Sequence, residues 1–305
     1  MSRVAPCLVV AMLLLSACHP TARRPDNPKI PANPSAQGSP PDSSTLPLPD
    51  DNLNAVAWSQ TAVEHDLIYR QAYRMASDEL LQALSDPTWE ALPKGERKTA
   101  VINPARTAVI VDVDETVLDN SPYAARMVVN GESYNEATWA RWCREEKARA
   151  IPGALAFTQL AASKGVTVFY LSNRAIELGA ATLENLRKLD FPIAAGEQVF
   201  LGLGTEVPGC KPHDSDKGCR RELISRDYRV LLQVGDQLGD FVDVAANTVP
   251  GRKQAIAPYL DWVGQRWFVL PNPTYGSWEP ALFDNDWKQS ASERRREKKA
   301  ALRID

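Results

Sequence analysis

Thr107-Ala-Val-Ile-Val-Asp112-Val-Asp114-Glu-Thr116 is the stretch whose reading decides the fold. Its first five residues form a short run, mostly apolar and rich in β-branching, as expected of a strand buried on both faces of a parallel sheet. Side chains at i and i+2 leave a strand on the same side, so Asp112 and Asp114 can face one small volume. Two carboxylates held that close repel unless a cation or a proton lies between them. The pair suits a metal site or an acid and nucleophile. The plainer alternative is a strand running into an Asx-turn, with Asp114 or Thr116 capping a helix.

The same rhythm extends outward. Asn54 to Ser85 has helical spacing, with Val56, Val63, Leu67, Tyr73 and Leu80 near one face, and Asp86-Pro87 stops it. Strands are predicted over 107–114, 166–171, 198–201, 229–234 and 266–270. Helices are predicted over 136–148, 152–163, 175–189, 217–227 and 251–263. Strand–helix alternation predicts an open parallel α/β sheet, with sites beyond the carboxyl ends of its strands.

Three more polar clusters fall near such ends. Ser172-Asn173-Arg174 follows the second strand, and its hydroxyl, amide donors and following helix N-terminus suit phosphate oxygens. Lys217, in Asp214-Ser-Asp-Lys-Gly218, could neutralise a phosphate and a nearby carboxylate, or be a solvated loop lysine. Gly235-Asp236-Gln-Leu-Gly-Asp240 sets two carboxylates a helical turn apart, and hard oxygens suit Mg²⁺.

The order Asp-x-Asp-x-Thr, Ser, Lys, Gly-Asp-x-x-x-Asp resembles the haloacid dehalogenase (HAD) superfamily of aspartyl-nucleophile phosphatases. A narrower resemblance rests on Asp112 through Tyr123, Thr138-Trp-Ala-Arg-Trp142, Pro152-Gly-Ala154, Ser172-Asn-Arg174, Asp216-Lys217 and Leu270-Pro-Asn-Pro-Thr-Tyr-Gly-Ser-Trp278. These look like the bacterial class C acid phosphatases, which are lipoprotein 5′-nucleotidases. The match covers most of residues 55–285.

The resemblance implies a HAD-like Rossmannoid parallel sheet with helices on both faces. A small helical cap would come from about 54–100 and 120–150. It implies hydrolysis of phosphate monoesters, with nucleoside 5′-monophosphates or nicotinamide mononucleotide as substrates. Asp112 would be the nucleophile that forms an aspartyl-phosphate, and Asp114 the proton donor and acceptor. Mg²⁺ would be held by Asp112, Asp236 and the backbone carbonyl of Asp114, with Asp240 behind them holding Lys217 or a water. Ser172, Asn173 and Lys217 would bind the phosphoryl oxygens. Tyr123, Trp139, Tyr275 and Trp278 either stack on a base or pack in core and cap. An acidic optimum is implied, and a protonated Asp114 is its simplest cause. Two rival readings stay open: a surface-binding lipoprotein that retains the fold, and a phosphotransferase on the same scaffold. A homodimer also stays open.

The first residues read as an address. Met1-Ser-Arg3 is basic, Val4 to Leu15 is apolar, and Leu15-Ser-Ala-Cys18 resembles the bacterial lipobox. A signal over 1–17 and lipidation of Cys18 are expected, giving a membrane anchor rather than a span. An Asp after the cysteine would favour the inner membrane. His19 stands there, so the expectation is the outer membrane of a bacterial cell envelope. Residues 18–53, rich in Pro, Ser, Asn and Asp, read as a disordered tether. Residues 54–288 are the expected phosphatase domain. Residues 289–305 are a charged tail, read as a solvated helix end.

Of five cysteines, Cys143, Cys210 and Cys219 remain after the leader and the lipid site. Cys210 and Cys219 flank a polar loop and could close a ring or stay as thiols. The 305 residues allow one large domain or two modest ones. No internal apolar run reaches the ~20 residues of a spanning helix, which excludes a polytopic membrane protein. With 44% hydrophobic residues a core can form, and a net charge of −3 gives no broad nucleic-acid footprint.

Overall fold

The computed structural model describes residues 51–97, 106–211 and 215–304. The expected signal, Cys18 and the tether up to residue 50 lie outside the described residues. The chain enters through α1 (Leu53–Thr61) and α2 (Val63–Ser85), then forms β1 (Thr107–Val111). An insert follows: β2 (Leu118–Asp119), α3 (Ser121–Asn130), α4 (Glu136–Glu145) and β3 (Arg149–Ala150). The alternation resumes with α5 (Ala154–Ser163), β4 (Thr167–Ala175), α6 (Gly179–Lys188), β5 (Phe200–Leu203), α7 (Gly218–Asp227) and β6 (Arg229–Gly235). It closes with α8 (Val249–Ile256), β7 (Trp267–Val269) and α9 (Ala291–Ala300).

Five strands form one sheet in the order β5-β4-β1-β6-β7, every pair parallel. The expected parallel α/β fold is therefore present. β1 lies at its centre and all five of its residues are buried. Its Thr-Ala-Val-Ile-Val run can be continuous because helices and neighbouring strands leave neither face to water. Asp112 leaves β1 directly, Asp236 leaves β6 directly, and Ser172 lies in the last turns of β4, so all three meet at one edge of the sheet.

Several local readings change. The long first helix is interrupted at Ala62, whose backbone is extended (φ −76°, ψ 125°). The break re-phases the buried stripe to His65, Tyr69, Tyr73, Ala76, Leu80 and Ala83. Val63 and Leu67, expected on the inner face, are exposed. α2 packs against α5, β6 and β7, so it covers the main sheet where a cap was expected to begin. β4 continues through Ala175 and a 3₁₀ turn over Ile176–Leu178 precedes α6. The helix expected from residue 175 therefore starts only at Gly179, set back from Ser172.

The insert was read only in part. α3 carries Pro122 in its first turn and ends at Gly131, whose left-handed φ of 65° is the usual glycine helix stop. α4 is capped by Asn135, which accepts the Ala137 and Thr138 amides. β2 and β3 pair antiparallel and pin the two ends of the insert together. The charged tail is also more than a free helix. α9 opens with a Ser290–Glu293 capping box, Arg295 and Lys298 pair with Asp51, and Lys298 also reaches Glu279.

Cys210 and Cys219 are joined in a disulfide, nine residues apart. Among the described residues Cys143 is free and buried, and burial pushes its thiol up to about 12. The ring brackets Lys217. A loop of this length restricts the unfolded chain enough to stabilise the fold by about 2–3 kcal/mol. Reduction, or Cys210→Ser, is expected to lower the melting temperature by roughly 5–10 °C. A scanning melt with and without reductant checks this, and an unchanged midpoint would count against the assignment.

Candidate active site

The site is built on charge pairs at the edge where β1, β4 and β6 end. Asp112 has its backbone amide bonded to the Val234 carbonyl at 2.9 Å, which ties the start of the motif to β6. Its Oδ1 accepts the Lys217 ammonium, and Thr116 Oγ1 approaches Oδ2 at 3.4 Å. Lys217 Nζ also donates to Asp240 Oδ1 at 2.7 Å and to the Leu171 carbonyl at 2.8 Å. All three ammonium protons thus have acceptors, which is what a lysine only 4% exposed requires. Burial alone would lower the Lys217 pKa. The charges on Asp112 and Asp240 outweigh it, and the group stands above its ordinary value.

Asp112 feels the reverse balance. Its carboxyl is raised to about 7, with burial the largest push, Lys217 pulling it down, and Asp240 and Asp114 pushing it up. Asp236 is raised well above the carboxylate range, first by burial and then by the charges on Asp240 and Asp112. One carboxylate oxygen from each of Asp112, Asp236 and Asp240 lies within 4.8 Å of the other two. That donor set, all hard oxygen and short of positive charge, fits a divalent cation. The three residues differ in what they have left to offer. Asp240 uses Oδ1 on Lys217 and Oδ2 on the Gln237 amide at 2.8 Å. Asp236 accepts from Gln237 Nε2 and Asn272 Nδ2, both at 2.8 Å and both through Oδ2, so neither bond uses Oδ1. Asp236 is the better direct ligand, and Asp240 the support for Lys217 and for the turn that carries it.

Asp114 is set apart from this cluster. Its Oδ1 accepts Asn120 Nδ2 at 2.8 Å and Arg174 Nε at 2.9 Å, while Arg174 Nη2 lies 2.8 Å from the same oxygen. Its Oδ2 accepts Ser172 Oγ at 3.1 Å. Arg174 is 2% exposed and also bonds Asn120 Oδ1 and Thr182 Oγ1, both at 3.2 Å. Trp142 Nε1 donates to Asn120 Oδ1 at 2.8 Å. A buried guanidinium is therefore satisfied by one carboxylate and two neutral acceptors, and it fixes where Asp114 points. Sequence reading had no role for Arg174 or Asn120, although Arg174 stands inside the quoted Ser172-Asn-Arg174.

The remaining expected residues are placed as follows. Ser172 is fully buried and bonds Asp114. Asn173 is exposed at the same edge, donating to the Ser215 carbonyl at 3.0 Å and accepting from Arg220 at 2.6 Å. Arg220 donates to the Ser172 carbonyl at 2.6 Å as well, so it binds the Ser172–Asn173 segment to the loop of Lys217. Tyr123 is buried against Trp139 with ring centroids 5.1 Å apart, a packing role. Trp139 is half-buried, and the Arg174 guanidinium lies 5.3 Å from its ring centre. Tyr134, which sequence reading missed, joins them with its centroid 6.4 Å from each ring and remains exposed. Tyr275 and Trp278 are exposed on the loop after β7, and Trp278 Nε1 donates to the Tyr275 carbonyl at 3.1 Å. Glu115, between Asp114 and Thr116, accepts the Tyr275 hydroxyl. Burial, then the charge on Asp114, pushes the Glu115 carboxyl up to about 8.

Comparison with known proteins gives the same picture. A family model described as HAD superfamily, subfamily IIIB (acid phosphatase), matches residues 43–278. The chain superimposes on the class C acid phosphatase from Bacillus anthracis with a TM-score of 0.70 and 33% identity, covering 83% of this chain and 97% of that one. It superimposes equally well on the form of that enzyme with tungstate bound. Among curated proteins it is 29% identical over 168 residues to the stem 31 kDa glycoprotein of Glycine max, covering 54% of this chain and 58% of that one. It is 25% identical over 170 residues to acid phosphatase 1 of Solanum lycopersicum, covering 56% and 59%. The matched part thus spans about three-fifths of the length of these curated relatives.

Proposed function

The chain belongs to the acid phosphatases of HAD superfamily subfamily IIIB, and from that premise we propose that it hydrolyses phosphate monoesters through an aspartyl-phosphate on Asp112. The observation that carries the reading is Lys217, buried and shared between Asp112 and Asp240. It holds one carboxylate charged where burial opposes charge, which is the condition for a nucleophilic aspartate.

Asp112 attacks phosphorus as the ester oxygen departs. The departing oxygen takes a proton from Asp114, leaving alcohol and phosphorylated Asp112. In the second half Asp114 takes a proton from water, which attacks the same phosphorus and frees phosphate and Asp112. The hydrogen bonds of Asp114 leave one oxygen better suited than the other to that transfer. Oδ1 of Asp114 is occupied by Asn120 and Arg174, so Oδ2, bonded only by Ser172, is the oxygen we assign to the proton transfer. Ser172, Asn173 and Lys217 are the residues we assign to the phosphoryl oxygens, since all three come together beside Asp112 and Asp114. Tungstate, held by the Bacillus anthracis relative, is a tetrahedral oxyanion like phosphate.

Asp112, Asp236 and the Asp114 carbonyl would hold the divalent cation, Mg²⁺ on the chemistry of hard oxygen donors, which supplies charge neutralisation between a carboxylate and a phosphate dianion. Its binding has a readout apart from activity. Asp112 and Asp236 are both raised, so without a cation the folded protein keeps protons that the unfolded chain has released. The contribution of Asp112 is full below about pH 4 and is lost as pH rises through about 7, and that of Asp236 is lost in the same direction. A cation competes with those protons, so its stabilisation grows with pH. At 100 times its Kd it adds about 2.7 kcal/mol. The rise in melting temperature on adding Mg²⁺ is expected to be larger at pH 7 than at pH 4.5. A rise of equal size at both, or none, would reject this assignment.

The substrates we propose are nucleoside 5′-monophosphates or nicotinamide mononucleotide, on the strength of exposed Tyr275 bonded to Glu115, Trp278 bonded to the Tyr275 carbonyl, and exposed Tyr134 beside Trp139. Anchoring by lipid at Cys18 on the outer membrane completes the reading. Phosphate release from both mononucleotides and an aryl phosphate, by protein lacking residues 1–17, with Mg²⁺ and with EDTA, tests it. Release that needs the cation is expected. No release from any of the three would leave a binding protein on a phosphatase fold.

A further inference from the structure

Glu115 is the acidic member of the Asp112–Thr116 motif that the reaction above does not use. Its backbone is left-handed, with φ 53°, a conformation that residues other than glycine rarely adopt. Both carboxylate oxygens are engaged. Oε1 accepts the Asn120 amide at 2.8 Å, and Oε2 accepts the hydroxyl of Tyr275, 160 residues further along the chain.

Tyr275 is held at its other end too. Its carbonyl accepts Gln237 Nε2 at 3.3 Å and its amide lies 3.3 Å from Asn272 Oδ1. Gln237 and Asn272 are the two residues bonded to Asp236. The loop lies flush on this support: a Cβ on Gly276 would come within 2.2 Å of Gln237 Oε1. The tyrosine is therefore tied at its hydroxyl to Glu115, the chain neighbour of Asp114, and at its backbone to Gln237 and Asn272, the partners of Asp236. The residue is still 41% exposed. An exposed aromatic on a loop ordinarily samples several rotamers, and a tether on its hydroxyl removes that freedom before any ligand arrives.

We propose that Glu115 is a positioning residue for specificity. By accepting the Tyr275 hydroxyl it holds that ring as a wall for a planar leaving group, such as a nucleobase, pyridine or phenyl ring. It thereby favours nucleoside and aryl monophosphates over small aliphatic ones. The proposal rests on the phosphatase reading.

The test is the ratio of kcat/KM for phenyl phosphate and AMP to that for glycerol phosphate. It is measured in wild type, Tyr275→Phe, Glu115→Ala, the double variant and Glu115→Gln. Tyr275→Phe keeps the ring and removes only the tether, so it informs even if Glu115→Ala misfolds. Each single variant is expected to lower the ratio by the same factor, roughly 3- to 10-fold, the worth of one ordered aromatic contact. The change should lie in KM for the planar substrates. The double variant should add nothing, because both changes cut one bond. Glu115→Gln, which can still accept from Asn120 and donate to the phenol oxygen, should restore most of the ratio. An unmoved ratio in Tyr275→Phe, or additive losses in the double variant, overturns the proposal while leaving the phosphatase standing. A wild type that cleaves none of the three esters removes the reaction, and the proposal with it.

Discussion

Asp112→Asn is expected to lower phosphate release from every monoester by ~10⁴-fold or more, the scale seen when a nucleophile that works as part of a unit is removed. Asparagine has the same shape, but its amide does not attack phosphorus, so no covalent intermediate forms. The fold is expected to survive and to gain stability at neutral pH without a cation. The reason is in the balance at the site: burial pushes Asp112 up to about 7, so the folded environment opposes its charge. A neutral side chain removes that opposition, and Lys217 keeps Asp240 and the Leu171 carbonyl as partners. Activity lost together with stability held or raised is the mark of a site strained for function. A phosphate-release assay beside a thermal melt checks both. Release within tenfold of wild type would move the nucleophile elsewhere.

The parts of this molecule that could be read from its sequence are those decided within a few residues. β1 was legible because a buried parallel strand needs an unbroken apolar run, and Thr107–Val111 is one. Asp112, Ser172 and Asp236 were legible because each adjoins such a run. The stripe on α2 was misread at Val63 and Leu67, since a single extended residue at Ala62 resets the phase and nothing in the local pattern announces it. The networks around the carboxylates were not legible. Arg174 meets Asp114 across 60 residues, Glu115 meets Tyr275 across 160, and Arg220 meets Ser172 across 48. Periodicity carries no information at those separations. The Cys210–Cys219 bond stayed open for the same reason, because pairing depends on geometry rather than spacing.

Lys217→Met is expected to damage both stability and chemistry, and the two effects separate by pH. The lysine is the cation shared by two carboxylates that are themselves nearly buried. Methionine fills the same volume and leaves both acids without their partner, which costs about 3–5 kcal/mol where a buried pair is broken from one side. That cost is smallest at low pH, where the acids take up protons, and grows as pH rises. Chemistry loses the positive charge beside Asp112, and with it an expected ~10²–10³ in kcat, the scale of one lost electrostatic contact in a phosphoryl-transfer site. The pH profile carries the distinguishing sign. Lys217 lowers the pKa of Asp112, so removing it raises that pKa, and a smaller fraction of the nucleophile is ionised at any acidic pH. The acid limb of kcat/KM should therefore move to higher pH in the variant. A lysine that only bound phosphate would weaken KM and leave that limb where it was. A shifted limb would tie Lys217 to Asp112 as the proposed nucleophile, the residue it pairs with.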